Sequence, residues 1–196
     1  MKKFLLFAAV AVFGLSTMSA QEIHFGAKAG ANFASLNGDD ADDVDGRTDF
    51  HVGGVVNIGI TELFAIQPEL IYSGQGFSAD DEEDVEFSIS YLNVPIMADF
   101  TITEGLSLQG GPQIGFKLDS KFKVDGDDID FDDDDDDGVE GLDLGIGIGA
   151  QYKLPLGLFF QARYVTGFNN VFEDFDGEST EAKNAVISVS VGYFFN

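Results

Sequence analysis

From Ile23 onward the chain alternates apolar and polar residues almost one for one. IHFGAKAGANF sets Ile23, Phe25, Ala27, Ala29, Ala31 and Phe33 on one side and His24, Gly26, Lys28, Gly30 and Asn32 on the other. FHVGGVVNIGI repeats the pattern through Phe50, Val52, Gly54, Val56, Ile58 and Ile60. A period of two marks an extended strand with unlike faces, whereas a helix returns its apolar residues every three or four positions. FAIQPELIY, YLNVPIMADFTI, LSLQGGPQIGFKL, GLDLGIGIGAQYKL, GLFFQARYVTGF and AVISVSVGYFF behave in the same way. The pattern predicts eight strands.

The segments between them alternate in length. Residues 61–63, 103–105 and 154–157 are tight turns, and 35–48, 79–86, 119–140 and 173–183 are long loops. The long loops hold 28 of the 35 acidic residues. One end of the strand set is therefore short-looped and lightly charged, and the other long-looped and acidic. A transmembrane barrel has this asymmetry, with an even number of antiparallel strands, short periplasmic turns and long external loops. Most segments reach the ~9–11 residues a spanning strand needs. Closure leaves no sheet edge unpaired in hydrocarbon. The expected fold is all-β, an eight-stranded antiparallel up-and-down transmembrane β-barrel with both termini at the short-turn end.

Ahead of it, MKKFLLFAAVAVFGLSTMSA carries Lys2 and Lys3, an apolar run from Phe4 to Leu15, and then small residues. That run is too short to span a bilayer and has the form of a cleavable signal peptide. Residues 1–20 are expected to be removed after Sec export, leaving 21–196 as the outer-membrane barrel.

If the apolar set faces lipid, the alternate set faces the lumen. It is small and polar, with four charges at similar height: Lys28, Glu69, Asp99 and Arg163. Eight strands enclose space for little more than side chains. The four are expected to meet as a paired network that fills the barrel, the other use being an ion gate. On the outer face, Phe64, Tyr72, Phe100, Tyr152, Tyr164, Phe168 and Tyr193 fall near strand ends, as interfacial aromatics do. Pro68, Pro95 and Pro112 each remove a ladder donor and point to bulges or a rim.

The formal net charge is −25, which repels nucleic acid. Cysteine is absent and there are two histidines, so disulfides and thiolate sites are excluded and no cofactor is expected. His51 shares a face with Asp49, and Ser73 and Ser88 are candidate neighbours, but no catalytic triad is spelled out and no enzyme is expected. The run Asp132, Asp133, Asp134, Asp135, Asp136, Asp137 is oxygen-rich. In the EF-hand frame Asp133, Asp135, Asp137 and Gly138 match, but the position of the bidentate Glu falls on Leu144. The run suits weak, diffuse association of divalent cations, including bridges to lipopolysaccharide phosphates, and no specific metal site.

FGAKAGANFASL (25–36), IQPELIYSGQGF (66–77), YLNVPIMADF (91–100), GGPQIGF (110–116) and VGYFF (191–195) together resemble the PorT-like outer-membrane β-barrel family. The resemblance covers the mature chain and implies that fold and the cell outer membrane. The family often has an acidic residue where Asn93 stands and a basic one where Asp99 stands. Its named member is linked to protein secretion. The expected role is structural or surface-interacting, for a monomer in contact with outer-membrane lipid and lipopolysaccharide and handled by the barrel assembly machinery. One alternative is a narrow channel or a secretion- or transport-associated barrel. Another is a secreted soluble barrel around a small apolar ligand. That one needs Lys, Glu and Asp along its polar faces, where this chain has Gly, Gln, Ser and Asn.

Overall fold

The computed structural model describes residues 22–37, 45–80, 84–124, 127–129, 139–171 and 182–195. The strands are β1 (Ile23–Asn37), β2 (Asp45–Gly59), β3 (Phe64–Asp80), β4 (Asp84–Thr103), β5 (Leu106–Val124), β6 (Asp127–Ile129), β7 (Leu142–Lys153), β8 (Leu158–Gly167) and β9 (Lys183–Phe195). All pairings are antiparallel. β4 pairs with β5 and β1 with β9, so the long strands close into an eight-stranded barrel, the architecture the alternation predicts. The three-residue β6 is a short return on the end of β5. Closure satisfies the backbone groups that an open sheet would expose to lipid.

The short turns follow from local chemistry. Gly105 and Gly157 take φ of +80° and +92°, where a side chain would be strained. In the last turn Gly157 N–H donates to Leu154 O at 3.0 Å, and Leu154 N–H to Leu158 O at 2.7 Å.

The outer wall is apolar. Phe25, Leu70, Ile96, Leu108, Ile148 and Val189 stand exposed around it. A continuous band of this kind suits hydrocarbon and would aggregate in water. Phe100, Tyr152, Tyr164, Phe168 and Tyr193 are exposed among its aromatics, and Phe64 lies against Phe100 at 4.8 Å between ring centroids.

β3, β4 and β5 run 17, 20 and 19 residues, well beyond the ~9–11 that cross hydrocarbon. Past the lipid band the polarity of β3 and β4 inverts. Phe77, Phe87, Ile89 and Tyr91 turn inward and Ser88 and Ser90 outward. Phe77 stacks on Phe87 at 5.4 Å. Val139 and Val171 complete this apolar stopper inside the long-loop mouth. Lys117 Nζ donates to Val139 O (2.8 Å), Glu140 N–H to Val171 O (2.8 Å), and Val171 N–H to Ala182 O (2.7 Å).

This inversion corrects the loop boundaries expected above. Residues 35–37 and 45–48 belong to strands, as do 79–80, 84–86 and 119–124. Strand pairing continues beyond the membrane with water outside and an apolar filling inside, so charge alone does not end a strand. The prolines are a second correction. β3–β4 pairing lapses between Pro68 and Ile71, and β4–β5 pairing between Pro95 and Ala98, yet each resumes in the same register. The irregularities lie elsewhere, between Gly46 and His51, Ser90 and Tyr91, and Thr101 and Thr103. A proline here deletes a rung without shifting the ladder. The signal peptide, most of the 173–183 loop and the aspartates at 132–137 lie outside the described residues.

Candidate functional site in the barrel lumen

Inward positions of the strands project side chains into one narrow column. Nearest the short turns, Val55, Phe159 and Phe194 form a buried cluster, with the Phe159 and Phe194 ring centroids 4.6 Å apart. Above it lies the charged layer.

Glu69 on β3 is the centre of that layer, with its side chain fully buried. Arg163 on β8 grips it with both guanidinium arms, Nη1 donating to Oε2 at 2.8 Å and Nη2 to Oε1 at 2.7 Å. Lys28 on β1 donates to Oε2 at 2.7 Å. Gln67, two residues away on the same strand and face, adds Nε2 to Oε1 at 2.9 Å. One carboxylate thus takes four donors, three of them cationic, which is the strong, shape-specific kind of hydrogen bond. Arg163 reaches inward over bare backbone, since a Cβ on Gly149 would stand 3.2 Å from its Cβ.

Asp99 is joined to this group only indirectly. Its Oδ2 accepts from Gln109 Nε2 at 2.7 Å, and Gln109 Oε1 accepts from Arg163 Nη2 at 3.0 Å and from Gln161 Nε2 at 2.8 Å. Gln161 Oε1 in turn accepts from Lys28 at 2.7 Å. The structure therefore brings Lys28, Glu69 and Arg163 into direct contact and places Asp99 one glutamine away. The lumen-facing glutamines are legible as polar filler in the sequence. Their use as bridges depends on register across the ring.

A neutral layer follows. His51 Nδ1 lies 2.8 Å from Asn32 Oδ1 and Nε2 lies 2.8 Å from Ser190 Oγ. Asn32 Nδ2 donates to Ser73 Oγ (2.9 Å) and Gly74 O (2.8 Å). Its Oδ1 can only accept, so His51 carries its proton on Nδ1 and takes the Ser190 hydroxyl at Nε2. Of the neighbours considered for His51, Ser73 is reached through Asn32, whereas Asp49 pairs with Arg47 at 3.5 Å. No sequence signal ties Ser190 to His51, from which it lies 139 residues away. All members of this cluster are buried.

Two spaces in the column are lined by described residues. One, of about 30 Å³, lies between the charged and neutral layers and touches Lys28, His51 and Arg163. The other, of about 290 Å³, opens at the short-turn end. Among the described residues no three His, Asp or Glu side chains are placed to hold a metal ion.

Residues 19–173 match a family model described as the outer membrane protein beta-barrel domain. Among solved structures, the chain is similar to Ail, the attachment invasion locus protein of Yersinia pestis. The match covers 89% of this chain and 99% of that one, with a TM-score of 0.54 and 17% identity. It is also similar to Neisserial surface protein A, over 87% and 97% of the two chains, with a TM-score of 0.60 and 13% identity. Ail in complex with the heparin analogue sucrose octasulfate gives a TM-score of 0.52 at 18% identity, over 89% and 99% of the two chains. At these identities the likeness is one of fold. No curated protein sequence matches the chain.

Proposed function

The chain belongs to the outer membrane protein beta-barrel domain family, and from that premise we propose that it serves as a closed structural or surface-interacting barrel, not as a pore and not as an enzyme. It is a small integral protein of the outer membrane. The filled lumen is the observation that carries this role. Glu69, Arg163, Lys28, Gln109 and Gln161 span the cross-section with hydrogen bonds of 2.7 to 3.0 Å. Beyond them the apolar stopper of Phe87, Ile89, Tyr91, Val139 and Val171 fills the long-loop mouth. Hydrated ions would have to break a buried ion pair and then cross an apolar layer, and each step is costly.

We place this barrel beside the PorT-like members of the family on the QPEL and YLNVP segments. Sec export, cleavage after Ala20, insertion by the barrel assembly machinery and a monomeric state complete the proposed life history. The outward surface would meet outer-membrane lipid and lipopolysaccharide. Ail holds a sulfated heparin analogue, but this chain carries 28 of its 35 acidic residues in the long connections. A polyanion would be repelled there, so contact with anionic sugars would run through divalent cations at Asp132 to Asp137.

The test is planar-bilayer recording on protein whose folded state is checked by a mobility difference between boiled and unboiled samples. The expected result is a heat-dependent mobility shift with no discrete conductance steps. Reproducible single-channel steps from shifted protein would overturn the closed-barrel role and establish the narrow channel in its place.

A further inference from the structure

At the short-turn end, the Val55–Phe159–Phe194 cluster fills one side of the lumen and leaves a cavity of about 290 Å³ on the other. Asp99 borders this cavity, together with Asn57, Gln151, His24 and Phe194. Asp99 is 5% exposed. Its Oδ2 is held by Gln109, while Oδ1 has no hydrogen-bond partner and the carboxylate no ion pair among the described residues. Lys28 and Arg163 are both committed to Glu69, and Lys153, which lines the same cavity, holds its Nζ over the Phe194 ring, 5.7 Å from the centroid. Asp99 thus lines the cavity with no counter-charge of its own, and a cation that enters there gains an ion pair without breaking one.

We propose that this cavity binds a primary ammonium group, with Asp99 as its anchor. Two features select that chemistry. Asp99 offers one negative charge to a ligand with several N–H donors, and no set of three His, Asp or Glu side chains among the described residues suits a metal ion. Glu22 and Glu62 stand exposed at the rim, where they draw cations toward the mouth. The volume suits an aminoalkyl group, being at the small end of ligand sites. The ammonium has two natural sources, a free alkyl amine or the ethanolamine headgroup of a phospholipid at the barrel rim. A conducting lumen would leave the site standing, because the cavity lies on the short-turn side of the ion pairs.

The experiment follows the Asn57 and Gln151 side-chain amides by NMR in the folded barrel. Putrescine is titrated in detergent for the free-amine arm. Nanodiscs of phosphatidylcholine with and without phosphatidylethanolamine form the headgroup arm. Saturable shifts are expected at both amides in at least one arm, and the arm that responds identifies the source. Asp99→Asn keeps the acceptor for Gln109 and removes the charge, and should weaken binding by roughly tenfold or more. Ala65→Phe tests the space instead of the charge. Ala65 pairs with Asp99 across β3 and β4 and lines the same cavity, so the ring should abolish binding with Asp99 intact. Both variants are checked for the heat-dependent mobility shift. The absence of saturable shifts up to roughly 10 mM putrescine and in both nanodisc types would overturn the proposal. So would wild-type binding by either folded variant.

Discussion

Replacing Glu69 by Gln should damage this barrel more than replacing either of its cationic partners. In the native lumen Lys28, Arg163, Glu69 and Asp99 sum to zero charge. Glu69→Gln leaves two buried cations facing a neutral amide, whose own N–H groups must point at one of them. Of the four donors that Glu69 accepts at 2.7 to 2.9 Å, the one oxygen of Gln can keep about half. Charge-assisted bonds contribute about 1.5–3 kcal/mol each, and the desolvation of the lost carboxylate returns part of that. Removing one partner of a buried pair costs about 3–5 kcal/mol, so a loss in that range is expected. Arg163→Gln leaves Glu69 paired with Lys28, and Lys28→Gln leaves it paired with Arg163, so each should cost less. Lys28→Gln added to Glu69→Gln should recover stability, because it removes one of the stranded cations. Urea unfolding in lipid vesicles, followed by circular dichroism and by the mobility shift, gives all four numbers. A Glu69→Gln barrel within about 1 kcal/mol of wild type, or one more stable than Arg163→Gln, would refute the central role given to this carboxylate.

Two further outcomes test the two faces of the wall. Ile148 stands exposed in the middle of β7, so Ile148→Arg should cost about 2–4 kcal/mol in lipid, while Leu63→Arg in a rim turn should cost about 0–1; equal costs in the same urea titration would remove Ile148 from the membrane midplane. On the inner face, a Cβ at Gly30 would overlap the Val189 carbonyl and lie 2.7 Å from His51 Cε1. Gly30→Ala should therefore cost about 1–3 kcal/mol, whereas Gly54→Ala, whose Cβ would meet only Gly26 O at 3.9 Å, should be close to neutral in the same assay.

The period-two alternation determined a great deal without any structure. Strand number and the division into inward and outward sets follow from it. Those properties are local, because which face a residue takes depends on its neighbours two positions away and not on distant parts of the chain. The same local rule misjudged where strands end. It tied charge to loops, whereas Phe87, Ile89 and Tyr91 continue the alternation with the faces exchanged once water replaces lipid outside. The sequence also placed Lys28, Glu69, Asp99 and Arg163 in the lumen at similar heights, but not their pairing. Glu69 lies 41 residues from Lys28 and 94 from Arg163, and His51 lies 139 from Ser190. Which of these side chains touch is set by the stagger of eight strands around a closed ring and by bulges such as that between Ser90 and Tyr91. A shift of one residue in any pairing would turn an inward side chain to the lipid. Asp99 therefore reaches Arg163 only through Gln109, for a reason that exists only once the ring is shut.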